Sequence, residues 1–151
     1  MINISFIGMA ACGKSTIGKA VANKIGVSFV DTDLLIEQKH EATLEEIKNK
    51  YDYKFVRNEE EKVILSLTSS NRIISTGGSA VYSAKSMEHL KKFSKVIYIN
   101  TPLEIIMQRI DIGQKRGLAV PEGMSIPEIY SEREPMYCLL YTSPSPRDDP
   151  L

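Results

Sequence analysis

The sequence predicts an α/β fold of three layers, with helices covering both faces of a central parallel sheet. Two observations lead there. A β-rich run, "INISFI" at 2–7, passes through a glycine-containing loop directly into a helical pattern, and further strand-like runs at 27–31, 72–76 and 95–100 are separated by helix-length segments. Strands that alternate with helices pair in parallel, because each crossover returns the chain to the same end of the sheet. Ligands of such sheets gather at the carboxyl ends of the strands. With 151 residues, 42% of them hydrophobic, the chain fits one domain around a sizeable core.

The elements follow in order. After the first strand, small and aliphatic residues recur at helical spacing from Lys14 to Ile25, and Gly26 offers a left-handed C-terminal cap. "VSFVD" at 27–31 is a second strand, and Asp31 and Asp33 of "FVDTD" fall on one side if the chain stays extended. Thr43 to Glu46, "TLEE", has capping-box spacing and marks a fresh helix start, and Tyr53 to Thr68 reads as a longer helix. "RIIST" at 72–76 and "KVIYIN" at 95–100 are strands, separated by "GGSAVYS" and a helix around 84–92. Thr101 to Glu104 is a second capping box with Pro102 at the first helical position, and Ser125 to Glu128 is a third. The stretch 111–124, "DIGQKRGLAVPEGM", has glycines, a proline and no clear period, which predicts a mobile lid.

Charge and cysteine content narrow the partners. Lys plus Arg equals Asp plus Glu at 19 each, scattered rather than striped, so nucleic acid and membrane surfaces are not expected partners and a small molecule is. Cys12 and Cys138 are too few for a secreted disulfide framework, and the N-terminus shows no basic region or long apolar run. The expectation is a cytoplasmic monomer.

The loop "GMAACGKS" fits G-x-x-x-x-G-K-[ST] between a strand and a helix, the context in which that pattern cradles a nucleotide triphosphate. Backbone N–H groups of Gly8, Ala11, Cys12, Gly13 and Thr16 and the helix N-terminus are suited to phosphate oxygens; Lys14 reaches the transferring phosphate and Ser15 can ligate Mg²⁺. A GTPase should carry N/T-K-x-D, yet the near match Asn23-Lys24-Ile25-Gly26 lacks the aspartate. A motor ATPase usually has a strand ending in Asp-Glu, and none of these runs does. One carboxylate of "FVDTD" near the Mg²⁺ and one aimed at a hydroxyl would suit transfer to a small molecule, although either aspartate could instead cap a helix. His40 and His89 have no metal-like spacing and are assigned no chemistry.

Over residues 1 to about 137 the chain resembles shikimate kinase, a nucleoside-monophosphate-kinase-like P-loop NTPase. The resemblance rests on "GMAACGKST", "DTD" after the second strand, "RNEE" with Arg57 and Glu60, "STGGS" at 75–79, Arg116 in the lid, and "REPMY" at 133–137. It implies ATP-dependent phosphorylation of a shikimate hydroxyl to shikimate 3-phosphate, with ATP and Mg²⁺ required. Asp33, Arg57, Gly78 and Arg133 would hold the acceptor, with Gly77 and Gly78 permitting close backbone approach. Asp31 and Ser15 would serve the metal, Arg116 would close over the phosphates and Arg109 would lie beside adenine. Lys14, Asp33 and Arg116 would be the catalytic set. Arginine forks are apt partners for an acceptor carboxylate.

The chain departs from the family pattern at Gly77-Gly78-Ser79, where the family has a glycine triplet, at Phe55-Val56-Arg57, which splits an adjacent Phe-Arg, and at Arg116-Gly117-Leu118-Ala119 in place of R-P-L-L. Kinases of other hydroxy acids, such as gluconate, and a non-catalytic nucleotide-binding domain are the alternative readings. From Cys138 the sequence "CLLYTSPSPRD" turns Pro/Ser-rich and resembles the translated end of a sequencing-library adapter. The kinase domain is therefore expected at 1–137, with 138–151 as a non-native tail and the family's last strand missing.

Overall fold

The structure, a computed structural model, describes residues 1–141. Four strands, β1 (Asn3–Ile7), β2 (Ser28–Asp31), β3 (Arg72–Ser75) and β4 (Lys95–Tyr98), form a parallel sheet in the order β2-β3-β1-β4 among the described residues. The helices are α1 (Lys14–Ile25), α2 (Thr32–His40), α3 (Leu44–Lys50), α4 (Tyr53–Ser66), α5 (Ala84–Phe93), α6 (Leu103–Arg109), α7 (Ile112–Gly117) and α8 (Ile126–Tyr141), with a 3₁₀ turn at Gly78–Tyr82.

Side-chain alternation along the central strands builds the layers. Phe6 and Ile73 point to one face, where they pack with Ala22 of α1. Ile7 and Ile74 point to the other, where Ile64, Leu90, Ile106 and Ile129 of α4, α5, α6 and α8 cover them. Ile7, Ile74 and Leu90 are fully buried, so truncating any of them to alanine should cost about 2–5 kcal/mol. A third cluster, Ile36, Ile47, Val56 and Ala119, lies apart from both and joins α2, α3 and α4 to the segment after α7.

The ends of the elements are set by local chemistry. Gly26 takes the left-handed conformation at φ 76° and its N–H bonds the Ala22 carbonyl at 2.9 Å, ending α1 where the sequence indicated. The capping boxes at Thr43/Glu46 and Ser125/Glu128 are both formed. The third is not. Pro102 occupies the cap position of α6 and Thr101 Oγ1 donates instead to the carbonyl of Cys12 at 2.8 Å, tying the glycine loop to β4's exit.

One further expectation is corrected, and one expected boundary falls inside a helix. Residues 112–117 of the supposed irregular lid form α7, started by a capping box between Asp111 and Gln114. Helix α8 runs without a break past the expected boundary at residue 137 through Cys138 to Tyr141; the rest of the proposed tail, 142–151, lies outside the described residues. Among the described residues no helix is long and apolar enough to cross a membrane.

Candidate active site

The loop between β1 and α1 carries three left-handed residues, Gly8 (φ 151°), Ala11 (φ 63°) and Gly13 (φ 106°). At Gly8 the bare backbone is required twice over, because a Cβ would also stand 2.8 Å from the Ile99 carbonyl oxygen. Gly13 caps α1 with no side-chain hydrogen bond, so the first-turn N–H groups of Lys14, Ser15 and Thr16 remain for an anion. The loop opens on a cleft of about 970 Å³ at the carboxyl end of the sheet, lined by Lys14, Ser15, Thr16, Asp31, Asp33 and Arg109 among others. The Lys14 ammonium is buried and donates to the carbonyls of Gly8 at 2.6 Å and Met9 at 2.9 Å, so it lies across the loop rather than extending into the cleft.

Ser15 and Asp31 meet as a pair. Ser15 Oγ donates to Asp31 Oδ2 at 2.7 Å and lies 3.1 Å from Ser75 Oγ, while Asp31 Oδ1 accepts from the Leu34 N–H at 3.2 Å and caps α2. That cap starts the helix at Thr32, so Asp33 stands in the first turn of α2 and not on an extended segment as its spacing suggested. One hydroxyl and one carboxylate at a phosphate-binding loop fit Mg²⁺, which takes few protein oxygens and fills its octahedron with water and phosphate. Arg109 lies over the loop, with Nη1 3.6 Å from where a Gly13 Cβ would be.

The inner wall of the cleft is built from buried charge. A small cavity of about 30 Å³ leads inward from the cleft between Asp33, Gly78, Ala119 and Arg133. Arg133 is 1% exposed, and both its terminal guanidinium nitrogens lack a hydrogen-bond partner. An unpaired buried charge is costly, by several kcal/mol, until an anion meets it. Burial raises the Asp33 pKa well above the ordinary value, and Glu60 and Asp31 add to it against the pull of Lys14.

The two glycines also admit the protein's own side chains. A Cβ at Gly77 would stand 2.3 Å from Glu60 Oε1 and 2.4 Å from Asp33 Oδ1, and one at Gly78 would stand 2.6 Å from Arg133 Nη1. The protein's own charged groups occupy the space at these two α-carbons, and Gly78 also lines both the cleft and the small cavity. Arg57 reaches this cavity only through Ala119, a lining residue whose carbonyl accepts from its Nε, and its guanidinium carbon is 3.6 Å from the centroid of the Tyr82 ring. Arg116 is not brought to the cleft. It is exposed on the last turn of α7, 3.7 Å from the carboxylate of Glu45 of α3, a residue that does line the cleft.

Three residues received no role from the sequence. The buried Glu60 carboxylate accepts from Thr32 Oγ1 (2.5 Å), the Gly77 N–H (3.3 Å) and Ser79 Oγ (3.5 Å), tying the start of α2 and the 3₁₀ turn to α4. Its R-x-x-E spacing from Arg57, about one helical turn, was the available signal. Tyr137 Oη donates to the Gly78 carbonyl at 2.5 Å, and Tyr82 adjoins both arginines; Tyr137 closes the "REPMY" motif, whereas no local pattern marks Tyr82. His40 bonds Glu59 and His89 the Leu67 carbonyl, each a structural contact.

Comparison with known proteins converges on one family. The shikimate kinase family profile matches residues 10–148. The shikimate kinase of Persephonella marina is 33% identical over 138 residues, covering 91% of this chain and 84% of that protein, and shikimate kinase 2 of Photorhabdus laumondii is 32% identical, covering 87% and 79%. Among solved structures, the Acinetobacter baumannii shikimate kinase in complex with shikimate superposes with a TM-score of 0.78 at 28% identity, over 93% of this chain and 80% of that one. The Aquifex aeolicus shikimate kinase gives 0.76 at 25%, over 91% and 82%. The phosphate loop, the parallel order β2-β3-β1-β4 and these likenesses together place the chain in the shikimate kinase family.

Proposed function

We propose that the protein transfers the γ-phosphoryl group of ATP to a hydroxyl of shikimate, giving shikimate 3-phosphate and ADP. The observation that carries this reading is Arg133, a fully buried cation with two unpartnered nitrogens at the inner end of a phosphate-loop cleft. A carboxylate is the group that satisfies such a fork, and shikimate supplies one. The acceptor's acid would sit between Arg133 and Arg57, directing its hydroxyl toward Asp33 and the loop.

Asp33 then accepts the hydroxyl proton as the oxygen bonds to the γ-phosphorus and the bond to ADP breaks. Lys14 exchanges the Gly8 and Met9 carbonyls for the transferring phosphate, whose charge it offsets. Ser15 and Asp31 would hold Mg²⁺, which supplies charge neutralisation on the phosphates. Arg116 would join them by releasing Glu45, and Arg109 would flank the base. A cytoplasmic monomer with a small acid as partner completes the reading.

The test is ADP release with Mg-ATP and shikimate. Turnover at least tenfold above the no-acceptor background is expected; a rate at background, or turnover with gluconate alone, would overturn the assignment.

A further inference from the structure

We propose that Tyr82 is a positioning residue that holds the two acid-binding arginines apart and aims them at the acceptor carboxylate. The inference rests on the acceptor reading above and adds to it a residue outside the motifs that identify the family.

Two guanidinium groups directed at one small anion repel each other before it arrives, so something must hold them in place. Tyr82, at the end of the 3₁₀ turn, lies against both. The Arg57 guanidinium carbon is 3.6 Å from its ring centroid, a close cation–π contact, and that of Arg133 is 5.4 Å away. The phenol is polarised in the same sense. Its oxygen accepts from Arg133 Nε at 3.4 Å, and its proton is donated to the Glu132 carboxylate. Burial, followed by that bond to Glu132, raises the Tyr82 pKa, which keeps the phenol neutral and its proton on this side.

The result is a division of labour within each fork. Arg133 spends Nε on Tyr82 and leaves Nη1 and Nη2 unpartnered, with Nη1 pressed against the bare α-carbon of Gly78. Arg57 spends Nε on the Ala119 carbonyl at 2.8 Å and its face on the Tyr82 ring, so its remaining donors are free. A leucine at 82 would supply bulk but neither the negative face nor the oxygen.

The experiment compares wild type, Tyr82→Leu and Tyr82→Phe by calorimetric titration with shikimate and with its uncharged carboxamide, alongside steady-state kinetics. Shikimate affinity should fall at least tenfold in Tyr82→Leu and about threefold in Tyr82→Phe, with kcat and the KM for ATP within twofold of wild type. The carboxamide should bind the three proteins alike. Equal losses for acid and amide, or parallel losses in kcat, would show a merely structural role and overturn the proposal. Tyr82→Phe keeps the ring and serves if Tyr82→Leu does not fold. Shikimate binding without turnover in wild type would defeat the proposed function and leave this inference standing; no binding by wild type would defeat both.

Discussion

Arg57 donates from Nε to the main-chain carbonyl of Ala119, 2.8 Å away, so α4 is bonded to the segment that follows α7, and in the proposed function this couples an acid-binding residue to the proposed lid. Arg57→Ala should therefore act on the acid and on the lid together. We expect the KM for shikimate to rise at least tenfold with a smaller change in kcat, and limited proteolysis within 111–118 to quicken. Arg57→Lys should recover little, because an ammonium cannot make the same planar contacts with carbonyl, ring and carboxylate. Unchanged shikimate kinetics in Arg57→Ala would refute the assignment.

Asp33→Asn should lower kcat by about 10²–10⁴ while shifting the shikimate KM less, since the amide keeps the shape and loses the base. Stopped-flow or quenched-flow measurement of the first turnover isolates the effect from product release. A loss confined to KM would make Asp33 a binding group only.

Lys14→Met should reduce kcat by at least about 10². It also removes the ammonium that bridges the Gly8 and Met9 carbonyls, so the melting temperature should fall by about 2–4 °C for each kcal/mol lost. Calorimetry together with ADP release checks both halves.

Gly77→Ala should be among the most damaging single-methyl changes. Gly77 has φ −68°, which alanine adopts freely, so the whole penalty comes from driving Glu60 and Asp33 away from a new Cβ. Destabilisation of about 1–3 kcal/mol is expected in urea titration, with near-complete loss of shikimate turnover. Wild-type stability in this variant would mean that the two carboxylates are not packed on that α-carbon.

Acid should weaken the molecule through Glu59. Burial pushes its carboxyl up, but hydrogen bonds from His40, Lys39 and Lys62 outweigh burial and bring its pKa down to about 2 from an ordinary 4.5. A depressed carboxylate pKa stabilises the fold fully above the unfolded value and ceases to do so as pH falls through the folded one. Wild type should thus lose about 2 kcal/mol between pH 5 and 2 that Glu59→Gln does not lose, after allowance for the solvent around the two lysines. Parallel pH profiles for the two proteins would contradict this.

The parts of the fold legible in the sequence were those decided within one or two turns. The β1, glycine-loop and α1 succession, the Gly26 cap and the boxes at Thr43 and Ser125 depend only on neighbours, and all formed. Thr101 carried the same local signal, yet its hydroxyl was drawn off by Cys12, a partner 89 residues away. Helix α7 was hidden because six residues containing two glycines show no period. At the site, the motifs named Asp33, Arg57 and Arg133, but the reason for glycine at 77 and 78 lay in side chains that arrive from α2, α4 and α8. Glu60, Tyr82 and Tyr137 likewise owe their placement to packing between distant segments.

The small cluster of Ile36, Ile47, Val56 and Ala119 has a bearing on how the chain is made. Arg57 and Ala119 are 62 residues apart in sequence, and Arg133 comes later still. As the polypeptide leaves the ribosome, β1, the phosphate loop and α1 emerge together, while the acid pocket still lacks both its cover and its buried cation. Long-range closures of this kind are the slow steps of folding. A nascent chain therefore owns the beginnings of a nucleotide cradle well before it can own a place for the acid, and the order of translation matches the order in which the two halves of the site can form.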